Sequence, residues 1–592
     1  MASIIGVDIE GILRDVLENV KMLEEQPNVS KLSSEELRAI AEQHAIKTKY
    51  GNLVFMTSVR NRSAGLTVYI GSPRVMDYQQ LSEKQIDILE KVPETLDRVH
   101  KYVKKAPLVR VDKVMGSNEE FTPICTMYVS TQRKDCIRLA YMLDVLLFNK
   151  DEVVLGKEHP HLYLLYIPEW QEKDRQILVF PEIGVTYVLG SDYFGEAKKG
   201  FLRMAMWCAK QRGMLGVHAG AKIVKARGPD GRLRRYSMLL FGLSATGKTT
   251  HTCHNHGLDP NLGEGIEIVQ DDVLFLKKDG SALGTENGFF LKTDIDPVNQ
   301  PLIWKAATKE RAVFENVLVD FEGNVHFLDD TLTGNGRGVF PRSDLDPSCL
   351  SPSINLPPLS ELDGMIIIFI TRRNTVVPII SKLTIEQAAA AFMLGESIET
   401  SASDPTRIGE SVRVVGTNPF IVGDPAEEGL WFYDFLKQNK DKVQCYLLNT
   451  GGVGEILTKK GRKVIVEQRP LRVQIWETAS IIRGILRRTI EWTYEPYFGV
   501  MVPSHVEGVD IAKFNPENFY TREQMEEYIK QLKAERAYYM IHNYWSFLEK
   551  IELTEELVRF IGLDVVSYEF PPPQRREENI EQTEVLDVTQ KS

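Results

Sequence analysis

Between residues 9 and 25, apolar side chains recur at helical spacing (Ile9, Ile12, Leu13, Val16, Leu17, Val20), which predicts an amphipathic helix. A second helix is predicted from Ser33, where Glu36 three residues on completes a capping box. From about 50 to 190 the pattern turns to short β-rich runs: LTVYIG (66–71), HLYLLYI (161–167), QILVF (176–180) and VTYVLG (185–190). Pro, Gly and Asp separate them, which predicts a mixed sheet rather than repeated βαβ units. Residues 195–213 predict a helix ended by Gly213, and Tyr236–Phe241 predicts a strand buried on both faces. Strands broken by turn signals such as Asp279-Gly280 follow over 265–294, and GMIIIFIT (364–371) and QCYLLNTGG (444–452) predict further core strands. Helical patterns cover 384–396 and 428–440. A long amphipathic helix over 521–550 opens on the capping pair Thr521 and Gln524.

Composition narrows the class. At 592 residues the chain is too long for one core. Its 43% hydrophobic and 26% charged residues are ordinary for a globular protein, and a net charge of −11 gives no electrostatic reason to expect nucleic acid. Six cysteines without paired spacing suit a reducing cytosol. Asp8 and Glu10 interrupt the N-terminal apolar residues, so no signal peptide is expected, and Met365–Ile370 is too short to span a bilayer. The expectation is a cytoplasmic, multi-domain protein that works on small molecules and not at a membrane. Its Pro-led polar end, 571–592, is expected to be disordered.

The chemistry centres on the residues after Phe241. Gly242-Leu-Ser-Ala-Thr-Gly247-Lys248-Thr249 matches the G-x-x-x-x-G-K-[ST] phosphate loop in full, with a buried strand in front of it. Backbone N–H groups of Gly242, Ser244, Ala245, Thr246 and Gly247 would curl around a polyphosphate. Lys248 would neutralise it, Thr249 would offer a hydroxyl to Mg²⁺, and the following helix would aim its positive end at the anion. Asp271 and Asp272 sit in the apolar run Gly265–Leu276, where a neighbouring strand would serve a metal with hard carboxylate oxygens. Adjacent strand residues point to opposite sides, so the two could address different partners. The segment HTCHNH (251–256) holds His251, Cys253, His254 and His256, but no second ligand pair follows at finger-like spacing. These four are expected to be packed or solvated helix positions rather than metal ligands.

Further residues place the chain in a family. YFGEAKKG (193–200), VHAGAK (217–222), GLSATGKTT (242–250), QDD (270–272) and ENGFFLK (286–292) occur in that order. ERAVFENVLVDFEGNVHFLDD with Arg337 and Pro341 beyond it, LLNTGG (447–452), LRVQIWETASII (471–482) and GVDIAKFNPENFY (508–520) then follow. This series resembles the ATP-dependent phosphoenolpyruvate carboxykinases, well from about 185 to 550 and weakly before. The resemblance implies an α/β (mixed α+β) fold, with an N-terminal mixed-sheet domain and a phosphate-loop nucleotide domain flanking an active-site cleft. The expected divisions are 1–222, 223–510, a helical extension over 511–570, and the tail.

By the same resemblance, ATP or ADP and two divalent ions are the cofactors. Lys248, Thr249 and Thr250 would bind nucleotide phosphates and Mg²⁺, with Asp271 in support, and Lys199, His218 and Asp272 would hold Mn²⁺. Lys292 would sit among the phosphates, and Arg472 and Thr478 near base and ribose. Arg337 would face the transferred phosphoryl group, and Tyr193 would line the substrate pocket. A lysine ligand must be neutral, which nearby cations favour. The implied reaction converts oxaloacetate and ATP to phosphoenolpyruvate, ADP and CO₂. There are departures. NRSAGLTVYI (61–70) echoes the family's substrate arginine segment only through Arg62, Ala245 replaces a glycine, and Gln270 replaces another. Two alternatives follow: a phosphate-loop kinase acting on another hydroxyl, or a nucleotide-binding regulator without catalysis. Oligomeric state is open.

Overall fold

The computed structural model describes residues 8–76, 81–171, 175–243, 246–398, 410–460 and 463–566. The tail at 571–592 lies outside them, as do Ser244 and Ala245. Among the described residues, one sheet orders seven strands as 29–31, 108–114, 124–130, 161–167, 185–189, 176–180 and 67–69, with parallel and antiparallel pairs mixed. The continuous apolar run at 161–167 is explained by cover on both faces. Leu162, Leu164 and Tyr166 enter one core, and Leu165 and Ile167 the other. The predicted helix near 195 is α1 (Phe194–Lys210), which lays Ala197, Phe201 and Leu202 against the first of these cores.

A second sheet of ten strands is built around β1 (Leu215–Arg227) and β2 (Leu233–Gly242), an antiparallel pair. β2 runs parallel to Gly364–Thr371, which runs parallel to Val443–Asn449. Leu239 and Phe241 of β2 go to one core and Met238 and Leu240 to the other, as an uninterrupted apolar strand requires. β2 delivers the chain to helix α2 (Lys248–Cys253), and β3 (Gly265–Gln270) and β4 (Val273–Leu276) both pair with β1. The division expected between residues 222 and 223 falls inside β1. That strand pairs with β2 without a break from Ala219 to Arg227.

A third sheet of five strands joins distant parts of the chain. β5 (Gly288–Lys292) pairs with β6 (Arg337–Pro341), and the series continues through 313–315, 53–55 and 46–47. It therefore carries Lys292 and Arg337, and it launches the segment after Phe55 that holds Arg62. Both expected capping boxes are present, at Ser33/Glu36 and at Thr521/Gln524. Among the described residues, no helix is long and apolar enough to cross a membrane.

Candidate active site

The site starts from one face of β1. His218, Gly220 and Lys222 lie two residues apart, so all three point to the same side, where α2 lies. His218 Nε2 is 3.1 Å from Lys248 Nζ at the start of α2. Gly220 lets the helix approach, since a Cβ there would stand 1.9 Å from Thr252 Oγ1. Lys222 is fully buried and donates to the carbonyls of His251 (2.5 Å) and His254 (2.9 Å), beside His256 Nε2 at 2.6 Å. It caps a helix only six residues long, whose end carbonyls would otherwise lack donors. Burial pushes its amine down to about 7. His251, Cys253 and His256 are buried. Gly220→Ala is expected to push α2 off β1, to cost about 1–3 kcal/mol by overpacking and to raise the KM for nucleotide. Thermal melts together with nucleotide titration check both effects.

Asp272 is the hub. Asp271 and Asp272 occupy the break between β3 and β4 rather than positions along one strand, because the chain bends there. Asp272 Oδ1 lies 2.7 Å from Lys248 Nζ and 2.8 Å from His218 Nε2. Its Oδ2 accepts from Lys199 Nζ, and from Lys198 Nζ at 2.9 Å. Burial opposes the Asp272 charge, but Lys198, Lys199 and Lys248 outweigh it and hold the carboxyl well below the usual range. The two adjacent lysines of α1 part company here. Lys198 also binds Glu286 Oε2 at 2.9 Å; burial opposes its charge, yet Asp272 and Glu286 hold it above the ordinary lysine range. Burial, with Lys198 and Lys248 nearby, brings Lys199 down to about 7 despite Asp272. An amine near 7 is available as a neutral donor.

His218 is oriented from behind. Its Nδ1 sits 2.6 Å from the Thr417 carbonyl, which can only accept, so Nδ1 carries the proton. Burial and the Lys248 charge push the ring down to about 4, so it stays neutral. Nε2 and Asp272 Oδ1 then present lone pairs to each other at 2.8 Å, an arrangement that a cation between them satisfies. Lys248 does this here. Asp271 is buried with Oδ1 unpartnered; burial raises its pKa while Lys248 and the Thr249 hydroxyl pull it back. Among the described residues no three His, Cys, Asp or Glu gather as a ligand set. The donors at hand are one imidazole, one carboxylate and one depressed amine, with a second carboxylate oxygen unpaired beside Thr249. That donor set fits divalent cations.

A second group of residues is built around two rings. Arg62 Cζ lies 4.5 Å and Lys199 Nζ 4.6 Å from the centre of the Phe420 ring, which His218 meets edge-on at 5.9 Å. The segment carrying Arg62 is pinned by Asp192, which accepts from Ser58 N (2.9 Å) and Val59 N (2.8 Å), and by Glu196, which accepts from Ser63 N at 2.5 Å. Tyr193, between these two acids, is buried with its hydroxyl 3.5 Å from Asn335 Nδ2. The same amide nitrogen holds the Arg60 carbonyl at 2.7 Å, and Asn335 Oδ1 accepts from Arg337 at 2.6 Å. Arg337 lies over Phe290 at 5.6 Å and is the cross-strand partner of Lys292, which pairs with Asp294 at 3.2 Å.

Beyond Thr250, whose hydroxyl accepts from Gln300 at 2.9 Å, opens a cleft of about 480 Å³. Helix α3 (Ile475–Arg487) walls it with Ile475, Trp476 and Arg483, facing His254 and Gln300. The two residues expected near base and ribose are not gathered at Asp272. Thr478 is buried against α2, with its hydroxyl 3.1 Å from His251 Nε2, and Arg472 is exposed on the short strand Leu471–Arg472. Lys198, Glu286, Phe290, Asn335, Thr417 and Phe420 were not picked out from sequence. Lys198 lies within YFGEAKKG and Glu286 and Phe290 within ENGFFLK, motifs in which the resemblance gave roles to Tyr193, Lys199 and Lys292 instead.

A family model described as phosphoenolpyruvate carboxykinase matches residues 21–512. An ATP-type phosphoenolpyruvate carboxykinase of Aeropyrum pernix is 34% identical over 349 residues, covering 59% of this chain and 65% of the relative. Proteins of the same description from Rhodopseudomonas palustris (29% over 339 residues, 56% of each chain) and Shouchella clausii (28% over 352 residues, 59% of this chain and 60% of the relative) also match. The chain thus spans less than two thirds of the length of these curated relatives. With the matched family span containing the phosphate loop and every residue that meets at Asp272, the chain belongs to the phosphoenolpyruvate carboxykinase (ATP) family.

Proposed function

We propose that the protein interconverts oxaloacetate plus ATP with phosphoenolpyruvate, ADP and CO₂. One observation carries this reading. Lys199, His218 and Lys248 converge on Asp272, with Arg62 sharing the Phe420 ring with Lys199. A phosphate cradle and a carboxylate-binding arginine thereby border the same donor set. Lys199, His218 and Asp272 would hold Mn²⁺ as Lewis acid for a developing enolate oxygen, and Thr249, with Asp271 in support, would hold Mg²⁺ on the phosphates.

Arg62 would grip a substrate carboxylate by two-point hydrogen bonds, with Arg337 and Tyr193 on the same wall. Decarboxylation breaks one C–C bond; its electron pair becomes the enolate and CO₂ leaves. The enolate oxygen then forms a bond to the γ-phosphorus while the bond to the ADP oxygen breaks, and ADP takes that electron pair. Lys248, Lys292 and Arg337 would spread the charge of the transferring group. Fixing Arg62 on Phe420 and Lys248 on Asp272 would hold the enolate and the phosphate in line, which lowers the entropic cost of their encounter. The cleft beside Thr250 would take the nucleoside. A cytoplasmic setting belongs to the same reading.

Neither a different acceptor nor a silent regulator is favoured by the family match. The test is made in the carboxylating direction. Purified protein with Mn²⁺, ADP, phosphoenolpyruvate and bicarbonate is expected to yield oxaloacetate, read through malate dehydrogenase and NADH. ATP consumption with some other acceptor, and no dependence on bicarbonate, would overturn the proposal.

A further inference from the structure

The family match ends at residue 512, and among the described residues two α-helices follow it: α4 (Arg522–Leu548) and α5 (Glu555–Ile561). Burial of Met525, Ile529, Leu532 and Met540 explains why α4 docks on the nucleotide sheet's core. It does not explain Arg536 on the same helix, which is only 1% exposed. Arg536 Nη2 binds Glu396 Oε1 at 2.8 Å and its Nε binds Oε2 at 3.1 Å, a two-point grip, while Nη1 donates to the Phe560 carbonyl of α5 at 3.0 Å. Its guanidinium lies over the rings of Phe498 (5.3 Å) and Phe560 (4.9 Å). Arg373 and Arg413 complete the shell around Glu396 at 3.0 and 3.1 Å.

Glu396 opens β7 (Glu396–Ile398), whose partner is β8 (Ser411–Arg413). The residue before it, Gly395, has φ +45°, and a Cβ there would stand 1.6 Å from the Val414 carbonyl and 3.1 Å from Thr417 N. The turn 414–417 is therefore seated directly on Gly395. Val414 N donates back to the Gly395 carbonyl at 3.2 Å, and Thr417 N closes the turn on the Val414 carbonyl at 2.8 Å. Thr417 itself takes φ +49°, a strained conformation for a β-branched residue that persists only where the surroundings impose it. Gly395, Glu396, Thr417, Arg536 and Phe560 line one small internal void of about 10 Å³. The strained carbonyl is the one that accepts from His218 Nδ1 at 2.6 Å, and three residues on, Phe420 carries Arg62 and Lys199.

We propose that Arg536 is a positioning residue for His218. Through Glu396 and the turn at Thr417, the two helices beyond the family-matched span hold the imidazole in the tautomer and plane that leave Nε2 free for a metal. A carbonyl behind a ligating histidine sets both its orientation and its basicity, and losing such support typically weakens metal binding about 10–100-fold. The inference rests on His218 serving as a ligand in the proposed function.

Arg536→Lys keeps the charge but loses the two-point grip. Lys533→Met, on the same helix, removes a different tie, since Lys533 Nζ binds Asp564 at 2.6 Å and the Tyr497 carbonyl at 2.9 Å without touching Glu396. Free Mn²⁺ is measured by electron paramagnetic resonance and ADP affinity by calorimetry, with melting curves for each variant. The expected result is that R536K binds Mn²⁺ about 10–100-fold more weakly than K533M, with similar ADP affinities. Equal Mn²⁺ affinities in R536K and K533M would overturn the inference. Should R536K not fold, Glu396→Gln reads the same link from the other end, and unchanged Mn²⁺ affinity there overturns it equally. A wild-type protein whose Mn²⁺ binding is unaffected by His218→Ala would instead sink the ligand assignment itself.

Discussion

Asp272→Asn is expected to lower kcat/KM on the order of 10³-fold, as loss of a group that orders transition-state charge does. Asparagine keeps the shape and one oxygen but removes the single negative charge toward which Lys198, Lys199, His218 and Lys248 all turn. Lys198 would keep Glu286, whereas Lys199 and Lys248 have no other carboxylate within ion-pair distance among the described residues. Breaking a buried charge network from one side typically costs about 3–5 kcal/mol, so the variant should also melt earlier. Steady-state kinetics and calorimetric melting check the two effects separately. Activity within tenfold of wild type would show that Asp272 only balances charge.

Arg62→Lys is the second large effect, and it separates substrate from nucleotide. The Arg62 guanidinium is pressed onto Phe420, and its segment is fixed at Ser58, Val59 and Ser63 by two buried acids. Burial lowers its pKa and Glu196 opposes that shift, so the site holds a guanidinium at some desolvation cost. A two-point grip on a carboxylate needs the planar fork that lysine lacks. With charge-assisted hydrogen bonds worth about 1.5–3 kcal/mol each, kcat/KM for oxaloacetate should fall about 10²–10³-fold. The KM for ATP should stay within a few-fold, because among the described residues Arg62 has no ion pair to α2 and does not line the cleft beside Thr250. An equal rise in both KM values would mean that the substitution disturbs the whole fold of the segment.

The parts of this arrangement that sequence made legible are those encoded locally. A strand such as β2 announces itself because both faces are covered, leaving no polar position to break the run. Helix starts at Ser33 and Thr521 were legible because a capping box needs only three residues. The phosphate loop and the order of motifs around it gave the family. What sequence could not convey depends on contacts across long separations. The partner of His218 Nδ1 lies 199 residues away and is a backbone carbonyl, which no side-chain pattern encodes. Lys198 and Lys199 are identical in type and adjacent in sequence, yet Asp272 and Glu286 hold the first above the ordinary lysine range, while burial with Lys198 and Lys248 nearby brings the second down. Phe290 and Phe420 look like core aromatics because most aromatics are. The bend at Asp271–Asp272 was hidden by apolar residues on both sides, which made two strands look like one.

Gly220 and Lys222 show a middle case. The VHAGAK motif pointed to His218, while the two residues that follow it on the same face matter only once α2 is known to lie there. That face joins the donor set to the phosphate loop, and it is why one strand can serve both.

The most direct test is a crystal of the protein grown with Mn²⁺, ATP and oxalate, a mimic of the enolate, with data collected at the manganese absorption edge. The account predicts an anomalous peak bounded by Lys199 Nζ, His218 Nε2 and an Asp272 oxygen, with oxalate touching it and Arg62 gripping the oxalate. A manganese peak that avoids His218, or oxalate bound away from Arg62, would contradict it.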